Sequence, residues 1–239
     1  MRVERIGDCT LYNGDCLEVM RGLEGIDAVC TDPPYGTEEI VGGYSRTGAT
    51  ILNDKNLDVC MAALQAACRI APSSVFAVFY SPRMRREFYS KLPPELHDLA
   101  EIIWDKKAPG MGRGVRYQHE NIALFYTGDR KGITRDTMSI VRDFRCAELH
   151  PHQKPIGLIS NLCELIGGHE AILDPFMGGG TTGVACVKIG RKFIGIELDP
   201  IHFETSCQQI QRAYDQPDIF ISNPANDNHK QVDIFAVAS

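Results

Sequence analysis

The sequence has little that would place the protein in a membrane, in an oxidising compartment or around a metal. Its 239 residues include no apolar run close to the ~20 residues of a membrane span, and no charged-then-apolar leader opens the chain. The nine cysteines form no C-x-x-C pair, which fits reduced thiols better than a disulfide framework or a zinc site. We therefore expect a cytoplasmic protein with no membrane contact and no bound metal.

The chain also lacks an overall excess of positive charge, since its net charge is −6. The charge is unevenly spread, however. From Trp104 to Arg145 there are nine basic and five acidic residues, a net +4, so the remainder carries −10. A basic middle on an acidic body is typical of a face that binds a polyanion, although a solvated basic loop would give the same pattern.

Strand and helix patterns alternate along most of the chain. Seven apolar or β-branched runs predict strands: CTLYNG, DAVCT, SVFAVFY, LAEIIWD, NIALFYT, AILDPF and KFIGIEL. Helical patterns between most of them predict an α/β fold with a mostly parallel sheet covered on both faces. LAEIIWD and NIALFYT have no helix between them and should form an antiparallel hairpin at one edge. We expect a single domain over 1–214 and a polar tail over 215–239.

The stretch TDPPYG, from Thr31 to Gly36, ends one of the predicted strands. Its prolines have a fixed φ and no N–H, so they cannot continue a sheet ladder. A simple strand cap and turn is one interpretation. The other is a rigid site at the carboxyl end of the strand, which presents the carboxylate of Asp32, a backbone carbonyl and the ring of Tyr35.

A glycine-rich stretch lies between two later strands, AILDPFMGGGTTGVACVKIGRKFIGIELDP. The first strand ends at Asp174, a helix is predicted near Thr181, and the second strand ends in Glu197. The glycines at 178, 180 and 183 fit G-x-G-x-x-G, which allows close approach of backbone to a ligand and tight packing of helix on strand. A carboxylate at position 197 can accept from both hydroxyls of a ribose. The stretch therefore predicts a cofactor that contains a nucleoside.

Two details distinguish this pattern from that of a dinucleotide-dependent dehydrogenase. The glycines come late, so too little chain follows them to build a second mononucleotide-binding half. Asp174 stands just before them, where it would repel a pyrophosphate but attract a cation. A sulfonium cofactor with an α-amino group fits better, which favours S-adenosylmethionine.

Four motifs then resemble those of one enzyme family. TDPPYG is similar to the catalytic D-P-P-Y motif of DNA amino-methyltransferases, and DPFMGGGTT to their F-x-G-x-G cofactor motif. HPHQKP resembles their H-P-x-x-K-P element, and NGDCLEVM the segment whose Asp lies against the adenine of the cofactor. The order, with the catalytic motif first, matches the β class of the family. The resemblance covers about residues 9–214.

The resemblance implies a fold: a circularly permuted, Rossmann-like S-adenosylmethionine-dependent methyltransferase with a seven-stranded, mostly parallel sheet and one antiparallel edge hairpin. It also implies that the helix ending near Tyr214 lies close to the N-terminus. The catalytic residues would be Asp32, Pro33, Pro34 and Tyr35. Asp32 and the carbonyl of Pro33 would accept the hydrogens of an amino group, and Tyr35 would stack on a base flipped out of the duplex.

The residues expected to bind the cofactor follow from the same motifs. For Cys16 and Thr182 a purely structural role is an equal alternative, and Lys154 either contacts the cofactor or closes its loop. The full set is Asp15, Cys16, Lys154, Asp174, Phe176, Gly178, Gly180, Thr181, Thr182 and Glu197.

In this family an Asp before the prolines usually accompanies methylation of adenine at N6, and a Ser accompanies cytosine at N4. Asp32 therefore favours N6-adenine methylation of double-stranded DNA, with N4-cytosine methylation as the alternative. An RNA or protein methyltransferase, or a DNA-binding module without catalysis, are alternatives of another class. The sequence does not distinguish a restriction-modification enzyme from an orphan or phage enzyme.

Target recognition should fall to two short basic segments, about 105–119 and 128–149. They predict a short or relaxed recognition site, with a homodimer as one way to extend it. In the tail, Gln216–Phe220 (QPDIF) and Gln231–Phe235 (QVDIF) resemble peptides that dock on the bacterial sliding clamp, or the tail folds back on the body. The candidate DNA contacts are Arg113, Arg116, Arg135, Arg142 and Arg145.

Overall fold

A nine-stranded sheet runs through the protein. The computed structural model describes residues 1–34, 57–107, 115–129, 139–142, 154–167 and 171–216. The strands are β1 (Arg2–Ile6), β2 (Cys9–Asn13), β3 (Ile26–Thr31), β4 (Val75–Tyr80), β5 (His97–Asp105), β6 (His119–Tyr126), β7 (Ile140–Arg142), β8 (Ala171–Asp174) and β9 (Lys192–Glu197).

Six α-helices accompany these strands in the described part of the chain, together with 3₁₀ turns at Met20–Gly22 and Pro82–Met84. Two of the helix starts follow the sequence signals directly. The side chain of Ser81 accepts from the N–H of Arg83 with Pro82 at the first helical position, and α4 begins directly after Pro155. The helices are α1 (Cys16–Val19), α2 (Asp58–Ile70), α3 (Arg85–Ser90), α4 (Ile156–Ile166), α5 (Thr181–Lys188) and α6 (Pro200–Asp215).

The strand order in the sheet is β1-β2-β9-β8-β3-β4-β6-β5-β7. The pairs from β2 to β4 are all parallel, and β6 runs antiparallel to both of its neighbours. The carboxyl ends of β2, β9, β8, β3 and β4 therefore meet at one edge of the sheet. In a parallel sheet this edge is where ligands bind.

Both faces of the sheet are covered, because neighbouring residues of one strand enter different cores. In β4, Val75, Ala77 and Phe79 pack with α4, α5 and α6, whereas Phe76 and Val78 pack with α1, α2 and α3. Each face buries a continuous apolar layer, which explains why the central strands read as unbroken apolar runs.

The predicted α/β fold with a mostly parallel sheet is confirmed, but two details were wrong: nine strands replace seven in the described residues, and the edge of the sheet differs. The two strands that were not predicted, β1 and β7, have sequences with only a weak strand pattern. β1 is largely exposed and charged, RVERI, and β7 has three residues. β7 pairs with β5, with Ile103 opposite Ile140. We had expected the β5–β6 hairpin to form the edge of the sheet, but β7 lies outside it.

The end of α6 packs against the start of the chain. The Tyr214 hydroxyl accepts from the N–H of Asp8 at 2.8 Å, and Arg2 forms an ion pair with Glu204 at 3.0 Å. The expected closeness of this helix to the N-terminus is confirmed. Among the described residues, no helix combines the length and apolar character needed to cross a bilayer.

Candidate functional site

Asp32 follows β3 at the carboxyl edge of the sheet, and a lysine holds its carboxylate. Lys154, just before α4, places its Nζ 2.5 Å from Oδ2 of Asp32. The side chain of Lys154 is only 11% exposed and that of Asp32 is 34% exposed, so the aspartate lies at the opening of the site and the lysine behind it. Pro33 is buried and Pro34 half-buried, which fixes the chain as it leaves the strand.

A second carboxylate holds the same lysine. Glu120 of β6 approaches Nζ of Lys154 with Oε2 at 3.1 Å, and its Oε1 accepts from Lys106 at 2.8 Å. The ammonium of Lys154 also lies 5.0 Å from the ring centre of Phe79 and 6.0 Å from that of Trp104. Aromatic faces attract a cation at these distances, so charges and rings together hold the lysine.

The electrostatics of this group favour full charges. Burial alone would raise the pKa of Glu120, but the nearby charges of Lys154 and Lys106 lower that pKa to about 2. Burial would lower the pKa of Lys154, yet Asp32 and Glu120 raise it above its ordinary value. Both groups are therefore ionised at neutral pH.

Asp174, at the end of β8, points inward. It is 2% exposed, and Thr31, the N–H of Phe176 and Thr182 donate to it at 2.9, 3.1 and 2.6 Å. Burial raises the pKa of Asp174 to about 6, and these hydrogen bonds only partly offset the effect. The carboxylate thus ties the start of the glycine turn to β3 and to α5. Thr182 serves this internal contact, and Thr181 begins α5.

The three glycines of G-x-G-x-x-G occupy different environments. Gly178 has φ +50°, and a Cβ placed on it would meet no atom within 4 Å. Gly180 has φ +86°, and a Cβ there would lie 2.8 Å from Cβ of Ser206. A Cβ on Gly183 would lie 2.4 Å from Cδ1 of Ile210, so this glycine allows α5 to pack on α6. The first glycine therefore opens a space and the other two permit close packing.

Glu197 ends β9 beside the open glycine. Its Oε2 accepts from the N–H of Gly178 at 2.9 Å and its Oε1 from the N–H of Asp199 at 2.8 Å. Burial raises the pKa of this carboxyl. Each carboxylate oxygen has a second lone pair, so the side chain is held in place and can still accept from a ligand.

The end of β2 closes the same corner. Asn13 donates to the carbonyls of Glu197 and Leu198 at 2.9 and 3.2 Å, which ties β2 to β9. Asp15 caps α1 by accepting from the N–H groups of Leu17 and Glu18. Cys16 is buried, and burial raises the pKa of its thiol to about 12. Asp15 and Cys16 thus lie near Glu197, and Asp15 has a capping role that the sequence analysis missed.

A narrow apolar crevice adjoins the proline pair and leaves no room for a water molecule between its walls. It lies where β3 and β4 end, with α2 and α3 as its outer walls. Its lining is mostly apolar or aromatic. The lining residues are Pro33, Pro34, Leu57, Cys60, Phe79, Tyr80, Ser81, Met84 and Phe88.

Of the predicted DNA contacts, Arg116 is exposed. The basic middle is less uniform than its composition implied, because Lys106 is buried and paired with Glu120. Arg83, outside that segment, lies over the ring of Tyr117 at 5.7 Å and donates to the carbonyl of Val115 at 3.4 Å. Several predicted residues lie outside the described chain: Tyr35, Arg113, Arg135, Arg145, the side chain of Arg142 and the tail motifs beyond Gln216.

The sequence analysis missed three residues of this region, Thr31, Lys106 and Glu120. Thr31 adjoins the proline motif, so its side chain at a strand end was a usable signal. Glu120 and Lys106 looked like ordinary polar residues of a hairpin. Only the register of β5 against β6, which pairs Trp104 with Glu120, brings them behind Lys154.

Comparisons with known proteins agree with this geometry. A family model described as DNA methylase, of the N6/N4 methyltransferases, matches residues 134–208. The Escherichia coli (strain K12) protein YubD, which carries the name of a methylase, is 30% identical over 213 residues, or 85% of this chain and 92% of YubD.

Solved structures show the same fold. The M1.HpyAVI–SAM complex matches with a TM-score of 0.65 at 23% identity, over 84% of this chain and 99% of that one. The cytosine-N4-specific PvuII DNA methyltransferase matches with a TM-score of 0.66 at 15% identity, over 87% of this chain and 92% of that one. The architecture is that of the Rossmann-like methyltransferases. The chain belongs to the N6/N4 DNA methylase family.

Proposed function

We propose that the protein transfers a methyl group from S-adenosylmethionine to the N6 amino group of adenine in double-stranded DNA, after base flipping. One observation carries this proposal. Asp32 and the proline pair end β3 between the apolar side chains at the end of β4 on one side and the glycine turn with Glu197 on the other. A base brought to the proline pair and a cofactor held at the turn would meet at Asp32.

The turn fits a nucleoside cofactor. The open space at Gly178 is what a ligand close to the backbone requires, and Glu197 beside it can accept from ribose hydroxyls. Asp15 and Cys16 would border the adenine at the end of β2. Phe176, Gly178, Gly180 and Thr181 would border the methionine part. When bound, S-adenosylmethionine supplies an electrophilic methyl group on a sulfonium sulfur.

Three expected cofactor contacts need a different role. Asp174 already accepts three hydrogen bonds and is buried, so we propose that it shapes the turn from behind. Thr182 is one of its donors and belongs to the same internal contact. Lys154 lies against Asp32, and we propose that it positions the catalytic carboxylate.

The chain's own residues would activate the amino group by orientation. The exocyclic amine is a poor nucleophile because its lone pair is delocalised into the ring. Asp32 and the carbonyl of Pro33 can each accept one amino hydrogen, which turns the lone pair out of the ring plane. Orientation of this kind can supply at most ~7–11 kcal/mol of the barrier. The flipped base would stack on Tyr35 beside Pro34, at a cost of a few kcal/mol for unpairing.

The preference for adenine rests on Asp32 itself. A structural relative is cytosine-N4-specific. The amino groups of adenine and cytosine would make the same two hydrogen bonds to Asp32 and to the carbonyl of Pro33. The acidic residue before the prolines favours adenine by the family pattern.

DNA binding would use the exposed arginines Arg83 and Arg116. We propose that the segments 105–119 and 128–149 contact the target within the single domain over 1–214, together with Arg83. The homodimer and the clamp contact through the tail stay predictions.

The test is transfer of labelled methyl from S-adenosylmethionine to unmethylated DNA, followed by nucleoside analysis. We expect N6-methyladenine as the product. In Asp32→Ala the rate of methyl transfer should fall at least about 10³-fold, because the site would lose the carboxylate that orients the amine. Cofactor binding by Asp32→Ala should persist. N4-methylcytosine would overturn the adenine assignment, and label in RNA or protein alone would overturn the DNA substrate.

A further inference from the structure

We propose that Lys106 and Glu120 are positioning residues for methyl transfer, which act on Asp32 through Lys154. This inference rests on the proposed function, because it assigns a role to residues behind the proposed catalytic carboxylate. None of the four sequence motifs contains Lys106 or Glu120. Their role follows from the contacts alone.

The four side chains form a line of alternating charge. Lys106 pairs with Glu120 at 2.8 Å, Glu120 with Lys154 at 3.1 Å, and Lys154 with Asp32 at 2.5 Å. Their exposed fractions are 7%, 15%, 11% and 34% in that order, so the line starts in the interior and opens at Asp32. Two cations balance two anions, and the group as a whole is neutral.

The line joins elements that are distant in sequence. Lys106 follows β5, Glu120 lies in β6, Lys154 precedes α4 and Asp32 follows β3. Between them, β4 contributes the ring of Phe79 and β5 that of Trp104, which also faces Lys106 at 5.9 Å. The antiparallel part of the sheet is thereby connected to the catalytic edge of its parallel part.

Stability alone is a poor reason for such an arrangement. Buried ion pairs are costly to desolvate, and well-packed apolar residues of similar volume are often as stable. What the charges provide is a fixed position for the ammonium of Lys154. A lysine has a flexible four-carbon chain, and an ammonium held only by Asp32 could swing with it. Glu120 on the opposite side, itself fixed by Lys106, holds the ammonium in one place and so fixes the orientation of the Asp32 carboxylate.

Such a role should alter turnover more than binding. In Glu120→Gln, which keeps the shape but removes the charge, we expect kcat to fall about 10- to 100-fold, since an error of about 1 Å in position can cost 10²-fold. The KM values for DNA and S-adenosylmethionine should stay within about threefold of wild type, because neither ligand is proposed to touch Glu120. Glu120→Asp keeps the charge and should recover part of the loss.

The pH profile separates positioning from simple destabilisation. Asp32 and Glu120 are the carboxylates that raise the pKa of Lys154 against its burial, and Lys106 is the nearby cation that faces Glu120. Removing the charge of Glu120 lowers the pKa of Lys154, so the ammonium is lost at a lower pH. The alkaline decline of kcat in Glu120→Gln should therefore begin at lower pH than in wild type, while the circular dichroism of the variant stays unchanged over that pH range, which separates the shift from alkaline unfolding.

The matched control is Glu87→Gln. Glu87 pairs with Lys91 at 2.8 Å on the exposed face of α3, so the same substitution removes a similar pair without touching the line. It should leave kcat and the pH profile unchanged. Lys106→Met, which leaves Glu120 on Lys154, should lower kcat about 3- to 10-fold. It carries the test together with Glu120→Asp if Glu120→Gln does not fold.

The outcomes are distinguishable. An active wild type with a folded Glu120→Gln of normal kcat and unshifted pH profile would overturn the role of Lys106 and Glu120, and leave the proposed function intact. A raised KM for S-adenosylmethionine at normal kcat would also overturn it and place the line at the cofactor. A wild type that transfers no methyl group would overturn both.

Discussion

Asp32 and Asp174 end neighbouring strands of one sheet, yet the protein holds them in opposite ways. Asp32 has an ammonium 2.5 Å from one oxygen. Asp174 is enclosed by neutral donors, two threonine hydroxyls and a backbone N–H. Neutral donors do not compensate for burial, and the pKa of Asp174 rises to about 6. Formal charge is thus concentrated on the side proposed for catalysis, and dipoles on the side proposed for the cationic cofactor.

This contrast has a chemical consequence under the proposed function. Fixed cations next to a sulfonium would oppose its binding, whereas carboxylates and hydroxyls would not. Among the described residues, the polar groups at the glycine turn are neutral donors and the carboxylates of Asp174 and Glu197. The lysines are kept on the far side of Asp32.

The largest effect on stability should come from removing the lysine that pairs with Asp32. Lys154→Met leaves Glu120 and Asp32 without a shared cation, and we expect a loss of about 3–5 kcal/mol in the free energy of unfolding. Thr182→Val removes one neutral donor from Asp174 and should cost about 1–3 kcal/mol. Urea denaturation of both variants at pH 7 measures the difference. Equal losses would remove the distinction between the two sides.

A somewhat smaller effect should appear as pH dependence. The pKa of Asp174 is higher in the folded state than its ordinary 3.8, so the folded state binds the proton more tightly. The stability that this provides is complete below about pH 4 and is lost as the pH rises through about 6, a difference on the order of 3 kcal/mol. Asp174→Asn cannot titrate, so its stability relative to wild type should increase by that amount between pH 4 and pH 7.

Thermal unfolding at a series of pH values measures this difference. Asp98→Asn, on the exposed part of β5, is the control and should follow the wild-type curve. If the difference between Asp174→Asn and wild type were constant over this pH range, the buried carboxylate would not titrate there, and the contrast with the charged side would be lost.

The smallest effect on stability belongs to the glycine turn. Gly178→Ala should cost about 1–2 kcal/mol because of its positive φ. Gly25 also has a positive φ and open surroundings, but it precedes β3, at the opposite end of that strand from Asp32. Gly25→Ala should cost a similar amount.

Only Gly178→Ala should weaken binding of S-adenosylmethionine, because the added methyl group would enter the space proposed for the ligand. Calorimetric titration of both variants measures this. Equal affinities would place the cofactor away from the turn.

Much of the fold could be predicted because the strong signals are local. The apolar runs of β3, β8 and β9 and the punctuation by proline and glycine mark the ends of strands, and parallel pairing brings those ends together. This was sufficient to place Asp32, Asp174, Gly178 and Glu197 at one edge. β1 was not predicted because an exposed, charged edge strand has no apolar pattern.

The partners of those residues could not be predicted. Which way Asp174 turns depends on Thr31, 143 positions away, and what holds Lys154 depends on Asp32, 122 positions away. A buried glutamate and a buried lysine also look the same in sequence as solvated ones. Contacts between residues so far apart in sequence depend on the register in which the strands pair. The sequence next to each residue does not specify that register.

The contact of Tyr214 with Asp8 means that the polypeptide almost closes into a ring. The order of motifs along the chain then reflects where the ring is cut rather than how the parts cooperate. A version without β1, with residues 7 and 216 joined by a short flexible linker and with new ends between β4 and β5, would keep the elements from β2 to α6 beside their present neighbours. Such a rearranged gene is expected to encode a folded protein.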